Sequence, residues 1–442
     1  MQALRTLSAH KPGQIDRWSP LLNKLLAPFD GVLTLRFPDN SSLRFGRRAQ
    51  EPVGPDFGLS VRDPGAVQSL LLGRDPLRFA DAYFRGSLDI EGDLFAALAL
   101  KDHLPALHLP FGERLRALQC LLRSNTLRPG ALKQPEPSTA LLAEAVQAHT
   151  RAENRKACAF HYDLSNDFYR LWLDPAMVYS CAYFEWPELS LEQAQTAKLD
   201  HVCRKLQLHP GDHFLDIGCG WGALVLHAAK TCGVRAHGIT LSQRQLELAQ
   251  QRIAQAGLQD RVTVALQDYR DMQGQARFDK IASVGMFEHV GLRNLGGYFD
   301  CVHRLLRPNG YFLNHGITHD VEGWSKTLST QFINRYVFPD GELDTVSNIQ
   351  RVMEQSQFEI MDVEGLRPHY ARTLRHWVQR LDAHHAQALA YVNEATFRIW
   401  RLYMAASAIE FEAGTLGVYQ ILACRRTAGT HAFPSNRRYM YP

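Results

Sequence analysis

At 442 residues, with 45% hydrophobic and 21% charged residues, the chain has the composition of soluble globular protein and the length of two or three domains. A formal charge of +4 is too weak to argue for nucleic acid. It suits an anionic lipid surface, and equally an ordinary surface with a slight excess of arginine. Eight cysteines without a CxxC pair indicate neither a disulfide framework nor a zinc site, and free thiols fit a reducing cytoplasm.

Residues 1–10 are not followed by an apolar core, so no signal peptide is read, and no apolar run approaches the roughly 20 residues of a membrane span. Segments 32–37 and 42–45, joined at Pro38-Asp-Asn-Ser41, predict a hairpin. With the strand-like and short helical pieces after it, residues 1–125 read as a small α+β domain. Three prolines in a polar stretch make 126–140 a linker. From 141 to 425 helix and strand alternate, and 426–442 reads as a basic C-terminal tail.

Within 141–425, Ser190-Leu-Glu-Gln193 is a capping box opening a helix with Leu199, Val202 and Leu206 on one face, stopped by Pro210-Gly211. A buried strand over 214–217 follows, then a helix to Gly233 and a strand over 234–239. Ser242-Gln-Arg-Gln245 is a second capping box, and its helix ends at Gly257. Strands are expected over 262–266, 278–284 and 311–314, the last preceded by a helix. Two more, over 358–363 and 418–424, flank a long helix from about residue 373. This spacing predicts an α/β protein with a doubly wound, mostly parallel, Rossmann-like sheet, beside the smaller N-terminal domain.

Asp216-Ile-Gly-Cys-Gly-Trp-Gly222 joins the first strand of that sheet to its helix, with glycines where backbone must turn tightly and approach a ligand closely. Gly218, Gly220 and Ala223 also satisfy the dinucleotide fingerprint. A nicotinamide site, however, places a carboxylate at the end of the next strand, where this chain has Thr240. The third strand ends Gln267-Asp-Tyr269, an amide, a carboxylate and an aromatic face suited to adenine. A turn cap is an equal alternative for Asp268 taken alone.

The motifs His161-Tyr-Asp-Leu-Ser-Asn-Asp-Phe-Tyr169, Tyr179-Ser-Cys-Ala-Tyr-Phe184, Asp216–Gly222 and Gly285-Met-Phe-Glu-His-Val-Gly291 together resemble the cyclopropane-fatty-acid synthases, the bacterial phospholipid enzymes and their mycolic-acid relatives, over roughly residues 150–424. Phe84-Arg-Gly-Ser-Leu-Asp-Ile-Glu-Gly92 looks, less specifically, like that family's lipid-binding N-terminal domain. The resemblance implies a class I methyltransferase fold and S-adenosylmethionine as cofactor. It also accounts for the missing acidic residue, because the family's second strand ends in a similar Thr-Leu-Ser segment. By resemblance, Asp216, Gly218 and Gly220 belong to the cofactor site, the two glycines approaching its methionine part. Thr240 and Gln245 face the ribose, Gln267 and Asp268 the adenine, and Tyr179 and Ser180 cover it.

The implied reaction is one-carbon transfer to the double bond of an unsaturated fatty acyl chain. Methylation of an alkene leaves a carbocation, which requires exclusion of water and a base. Tyr162, Phe168, Tyr169, Tyr183, Phe184 and Tyr336 are candidate aromatic faces for the cation, with a plain core role the stronger reading for each alone. By resemblance the base is a bound bicarbonate held by Cys181, Glu288, His315, the backbone of Ile317, and Tyr370. Glu288 is expected to share a proton with the ion or to pair with a neighbouring donor. Adjacent Glu288 and His289 rarely converge on one ion, so no metal is assigned. Cys203, Cys219 and Cys232 read as small buried hydrophobes.

One segment departs from the phospholipid enzymes, Glu342-Leu-Asp-Thr-Val-Ser347, and the helix over 395–404, assigned to the substrate side, resembles a sub-branch that makes methyl- or methylene-branched acids. They leave a cyclopropane, or a methyl- or methylene-branched acid, as the product. The rival classes are a small-molecule N- or O-methyltransferase, a non-catalytic lipid-binding protein and a nicotinamide oxidoreductase. Membrane phospholipids are the expected partner, met peripherally from the cytoplasmic face, with a homodimer left open.

Overall fold

The turn at Pro38 returns the chain on itself as β1 (Val32–Arg36) and β2 (Ser42–Phe45), paired antiparallel from Leu33–Phe45 to Arg36–Ser42. In the computed structural model, residues 29, 31–38, 40–46, 56–63, 77–99, 149–162, 164–323, 328–338, 341–428 and 433–441 are described. The linker expected at 126–140 lies outside them.

β3 (Asp56–Val61) joins β1 in parallel and β4 (Leu88–Gly92) closes antiparallel on β3, giving the order β2-β1-β3-β4. Val32, Leu33, Phe45, Phe57, Tyr83 and Leu88 form its core. Residues Glu394–Ala406, the first part of the helix Glu394–Ala413, belong to this N-terminal unit. Arg398 is buried, donates to the carbonyls of Tyr83 (2.9 Å) and Leu88 (3.3 Å), and pairs with Asp89 and Glu394. A buried guanidinium needs such saturation. The helix expected on the substrate side is thus a structural part of the N-terminal unit.

The second unit is built on β5 (His213–Ile217), β6 (Arg235–Thr240), β7 (Val262–Leu266), β8 (Phe278–Val284), β9 (Leu306–His319), β10 (Phe358–Gly365) and β11 (Leu416–Arg425). Their order is β10-β11-β9-β8-β5-β6-β7. All pairs from β9 to β7 are parallel, and β11 alone runs against its neighbours β9 and β10. This is the doubly wound, mostly parallel sheet expected. β9 is longer than expected because it pairs along both edges, with β8 and β11, and so continues through His315 and Ile317.

The helix Leu191–Leu206 starts at the capping box read from the sequence, Ser190 and Gln193 each bonding the other's backbone. The second box closes on one side only. Ser242 Oγ accepts from Gln245 N–H, but the Gln245 side chain is taken by Thr240, whose hydroxyl donates to Gln245 Oε1 at 2.7 Å. Residues 433–441, read as part of a tail, are packed on the body. Met440 is fully buried, its carbonyl accepts from Arg204 Nε (3.0 Å) and lies 3.1 Å from His201 Nδ1, and Arg437 pairs with Asp362. Among the described residues no helix is long and apolar enough to cross a membrane.

Candidate active site

The strand order reverses at β5, which has β8 on one side and β6 on the other; open α/β sheets bind ligands beside such a point, at the strands' carboxyl ends. The glycine loop leaves β5 there. Its Gly218 and Cys219 amides both donate to Ile239 O of β6 at 3.0 Å. Gly218 and Gly220 have φ of 83° and 52°, in the left-handed region. A Cβ on Gly218 would lie 2.7 Å from the Met286 side chain, whereas one on Gly220 would meet nothing within 4 Å. Packing demands the first glycine; the second borders open space.

That space is a cavity lined by all nine residues assigned to the cofactor: Tyr179, Ser180, Asp216, Gly218, Gly220, Thr240, Gln245, Gln267 and Asp268. Asn154, Tyr162, Lys198, Trp221, Met286 and His289 also line it. Thr240 needs no carboxylate beside it. Its hydroxyl occupies Gln245 Oε1, and the Gln245 amide N–H groups remain as donors for a hydroxyl. Asp268 fulfils both readings at once. It caps the turn by accepting from Arg270 N (2.9 Å), holds the Arg270 guanidinium at 2.6 and 2.9 Å, and still borders the cavity. Burial alone would raise its pKa, but the Arg270 hydrogen bonds hold the carboxyl below its usual range. Tyr179 packs with Trp172 and Trp377, at ring centroids of 5.4 and 5.2 Å. The cavity therefore fits an adenosine with a charged tail: amide and carboxylate at β7, amide at β6, bare backbone at β5. One buried oxygen in its wall, Asp216 Oδ1, has no hydrogen-bond partner among the described residues.

The segments that carry the five residues assigned to the base are linked to one another by hydrogen bonds and strand pairing. Gly285 N–H donates to His315 O at 2.8 Å, tying the Gly285–Gly291 motif to β9. On the short turn Phe287–His289, Glu288 accepts from Ile317 N–H at 2.8 Å. Ile317 faces Val418 of β11; Val418 O accepts from Leu366 N–H at 2.8 Å; and Leu366 O accepts from Tyr370 N–H (3.2 Å), with Cys181 Sγ at 3.8 Å. His315 stands two residues before Ile317 on β9, on the same face.

The donors are deployed differently from the sequence expectation. The Ile317 N–H is spent on Glu288, and Cys181 has Ala182 O within 3.2 Å, so neither points freely at an anion. The expectation that Glu288 pairs with a neighbouring donor is met through that same Ile317 amide. Glu288 Oε2 and His315 Nε2 are both buried without a hydrogen-bond partner among the described residues. Burial raises the Glu288 pKa, and it drives His315 well below its usual value, with Lys198 and Lys205 adding to the effect. Both causes favour the neutral imidazole. Gln420, fully buried on β11, places its Nε2 3.2 Å from His315 Nδ1; an amide donor there leaves the ring proton on Nε2. Each of these two buried atoms keeps an open hydrogen-bonding position, a donor N–H on His315 and an oxygen on Glu288.

Of the six candidate cation faces, only Tyr162 lines the cofactor cavity, its hydroxyl 3.2 Å from His289 Nε2. Phe168 and Tyr169 are fully buried, Tyr183 stacks between His201 and His369, and Phe184 lies under Arg372.

Residues 149–421 match the family model described as mycolic acid cyclopropane synthetase. A probable fatty acid methyltransferase of Pseudomonas putida is 39% identical over 411 residues, covering 92% of this chain and 97% of its own. The cyclopropane-fatty-acyl-phospholipid synthase of Escherichia coli K12 is 42% identical over 267 residues, covering 60% of this chain and 66% of its own. The structure of mycolic acid cyclopropane synthase CmaA1 complexed with SAH and CTAB has a TM-score of 0.58 at 35% identity, covering 61% of this chain and 98% of that one. The chain belongs to the mycolic acid cyclopropane synthetase family. As a member it is an S-adenosylmethionine-dependent methyltransferase of class I fold.

Within this family member, the Glu342–Ser347 departure does structural work. Glu342 accepts from Leu292 N–H (2.9 Å) and pairs with His149 (3.5 Å), while Asp344 Oδ1 accepts from Gly323, Thr345 and Asn348. No role is assigned from the sequence to Lys198, Trp221 or Gln420. A lysine on the same helix face as Gln195 and Val202, and a glutamine inside the apolar run 418–424, were the signals available.

Gly316 separates His315 from Ile317, and a Cβ there would lie 1.7 Å from Phe287 Cε1. Gly316→Ala must displace Phe287 and with it Glu288. We expect a loss of about 1–3 kcal/mol by overpacking, read as a lower Tm, and turnover reduced beyond what the lost folded fraction explains. Unchanged turnover and Tm would show that Phe287 does not fix Glu288.

Proposed function

We propose that this enzyme transfers a one-carbon unit from S-adenosylmethionine to the cis double bond of unsaturated fatty acyl chains of phospholipids, giving a cyclopropane. The observations that carry the reading are the cofactor cavity and, outside its lining, two buried polar atoms without a partner among the described residues, Glu288 Oε2 and His315 Nε2. When bound, the sulfonium cofactor supplies the electrophilic methyl group, so an unactivated alkene needs no metal. The chain's own residues then have three tasks: to exclude water, to orient the acyl chain, and to hold a proton acceptor beside the new methyl group. Glu288, His315 and Tyr370 would hold a bicarbonate for the last of these, with Cys181 and the Ile317 backbone fixing the walls. The protein would meet the membrane peripherally from the cytoplasmic face.

A second reading is supported by the Pseudomonas putida relative, which covers nearly the whole chain and is named a fatty acid methyltransferase. If the acceptor instead removes a proton from the neighbouring chain carbon, a methyl-branched chain alkene results; if a hydride first shifts from the methyl-bearing carbon to the cation, loss of a methyl proton leaves a methylene branch. A cyclopropane and a methylene branch have equal mass, so mass spectrometry does not separate them. Purified protein incubated with labelled S-adenosylmethionine and monounsaturated phospholipid vesicles should give a product with upfield cyclopropane protons in its NMR spectrum. Alkene-region methylene signals alone would establish the branch. Label transferred only to amines or phenols would establish a small-molecule methyltransferase.

A further inference from the structure

Lys198 lies on the helix Leu191–Leu206 with 2% of its surface exposed, on the wall of the cofactor cavity. Its ammonium donates to Ser180 Oγ at 3.0 Å and forms no ion pair with any described residue. The loop it reaches is held in place from one turn earlier on the same helix, where Gln195 Nε2 donates to Ser180 O (2.9 Å) and Val178 O (3.3 Å). The acid that most favours its charge, Asp174, is already engaged, accepting from the Ala176 and Val178 amides. One carboxylate of the same cavity, Asp216, is 3% exposed, carries a buried oxygen without a partner among the described residues, and forms no ion pair with Lys198. A buried cation and a buried acid thus share one wall without a direct ion pair between them, a costly arrangement unless a ligand brings both countercharges.

The cofactor has such an end, its amino-acid group carrying an α-carboxylate and an α-ammonium. We propose that Lys198, together with the Ser180 hydroxyl, receives the α-carboxylate, leaving Asp216 to the α-ammonium. Burial pulls the Lys198 ammonium down to about 8 and pushes the Asp216 carboxyl up to about 7. Burial thus works against the charged form of each group, and an arriving zwitterion favours it. Gln195 is a positioning residue, acting through the loop that carries Ser180.

The inference rests on S-adenosylmethionine as the cofactor, and two probes separate its failure from that of the cofactor reading. S-adenosylhomocysteine carries the amino-acid end; 5′-methylthioadenosine keeps the nucleoside and thioether but lacks it. Calorimetry on full-length Lys198→Met should show S-adenosylhomocysteine bound about tenfold or more weakly than by wild type, with 5′-methylthioadenosine affinity unchanged within about twofold. Replacing a buried charge by an apolar side chain of similar length is tolerated in other folds. Should the methionine variant not fold, Lys198→Gln retains a donor for Ser180 and is judged by the same criterion. S-adenosylhomocysteine affinity unchanged in the variant, or an equal loss for both probes, would overturn the proposal. Wild-type protein binding neither nucleoside would overturn the cofactor reading beneath it as well.

Discussion

Gly220→Asp should abolish binding of S-adenosylmethionine and S-adenosylhomocysteine while leaving the protein folded. Gly220 has φ of 52°, a conformation aspartate tolerates better than most side chains, and a Cβ there meets no atom within 4 Å. The fold therefore accepts the substitution, and the new carboxylate stands in the cavity where the cofactor must lie. A charge filling a site shaped for close backbone approach should cost on the order of a hundredfold or more in affinity. Calorimetry and thermal unfolding would check the two halves of this expectation. Gly218→Ala is the contrast. Its Cβ strikes Met286 at 2.7 Å with φ of 83°, so the damage there should appear in Tm as well as in affinity. Tight binding by Gly220→Asp would mean that the cofactor does not pass this loop.

How much of this could be read beforehand follows from the range of the forces involved. β7 is legible at both ends because it is a short run of apolar and β-branched residues, and β8 because Ile281, Ala282 and Val284 lead into the glycine at 285, both local signals. The capping box at Ser190 was legible for the same reason: both partners lie within one turn. At Ser242 the same pattern misled by half, because Thr240, outside the box, offered the Gln245 side chain a better partner. What failed to show was long-range. Nothing local in residues 395–404 says that Arg398 is buried against Tyr83, Leu88 and Asp89, more than 300 positions earlier in the chain. The cofactor residues were read through a resemblance carried by contiguous motifs, and all nine fall on one cavity. The base residues come from four separate segments, and their individual hydrogen bonds depend on strand register, which no motif encodes. So Ile317 was read as a donor to an anion, whereas β9 brings its amide onto Glu288.

Those hydrogen bonds decide the last expected result. Glu288→Gln and His315→Ala should each lower kcat by about tenfold to a thousandfold while S-adenosylhomocysteine affinity stays within a few-fold. Neither residue lines the cofactor cavity, so binding should be spared. Each carries a buried atom without a hydrogen-bond partner among the described residues, and under the proposed function a proton acceptor anchored by both loses one anchor in either variant. Glu288→Gln keeps an oxygen for the Ile317 amide and changes only whether the other end can be ionised or protonated, which isolates charge from shape. His315→Ala also leaves Gln420 without its only hydrogen-bonded side chain among the described residues, so some loss of Tm is expected there. If the acceptor is bicarbonate, stripping it from the buffer should slow the wild type and restoring it should recover the rate. The two variants, already lacking an anchor, should respond less steeply. An active His315→Ala enzyme, or a wild type indifferent to bicarbonate at every substrate concentration, would place the proton acceptor elsewhere. Cofactor binding and the family's methyl transfer would stand, and the search for the base would move to Tyr162 and His289, whose side chains meet at 3.2 Å on the cavity wall.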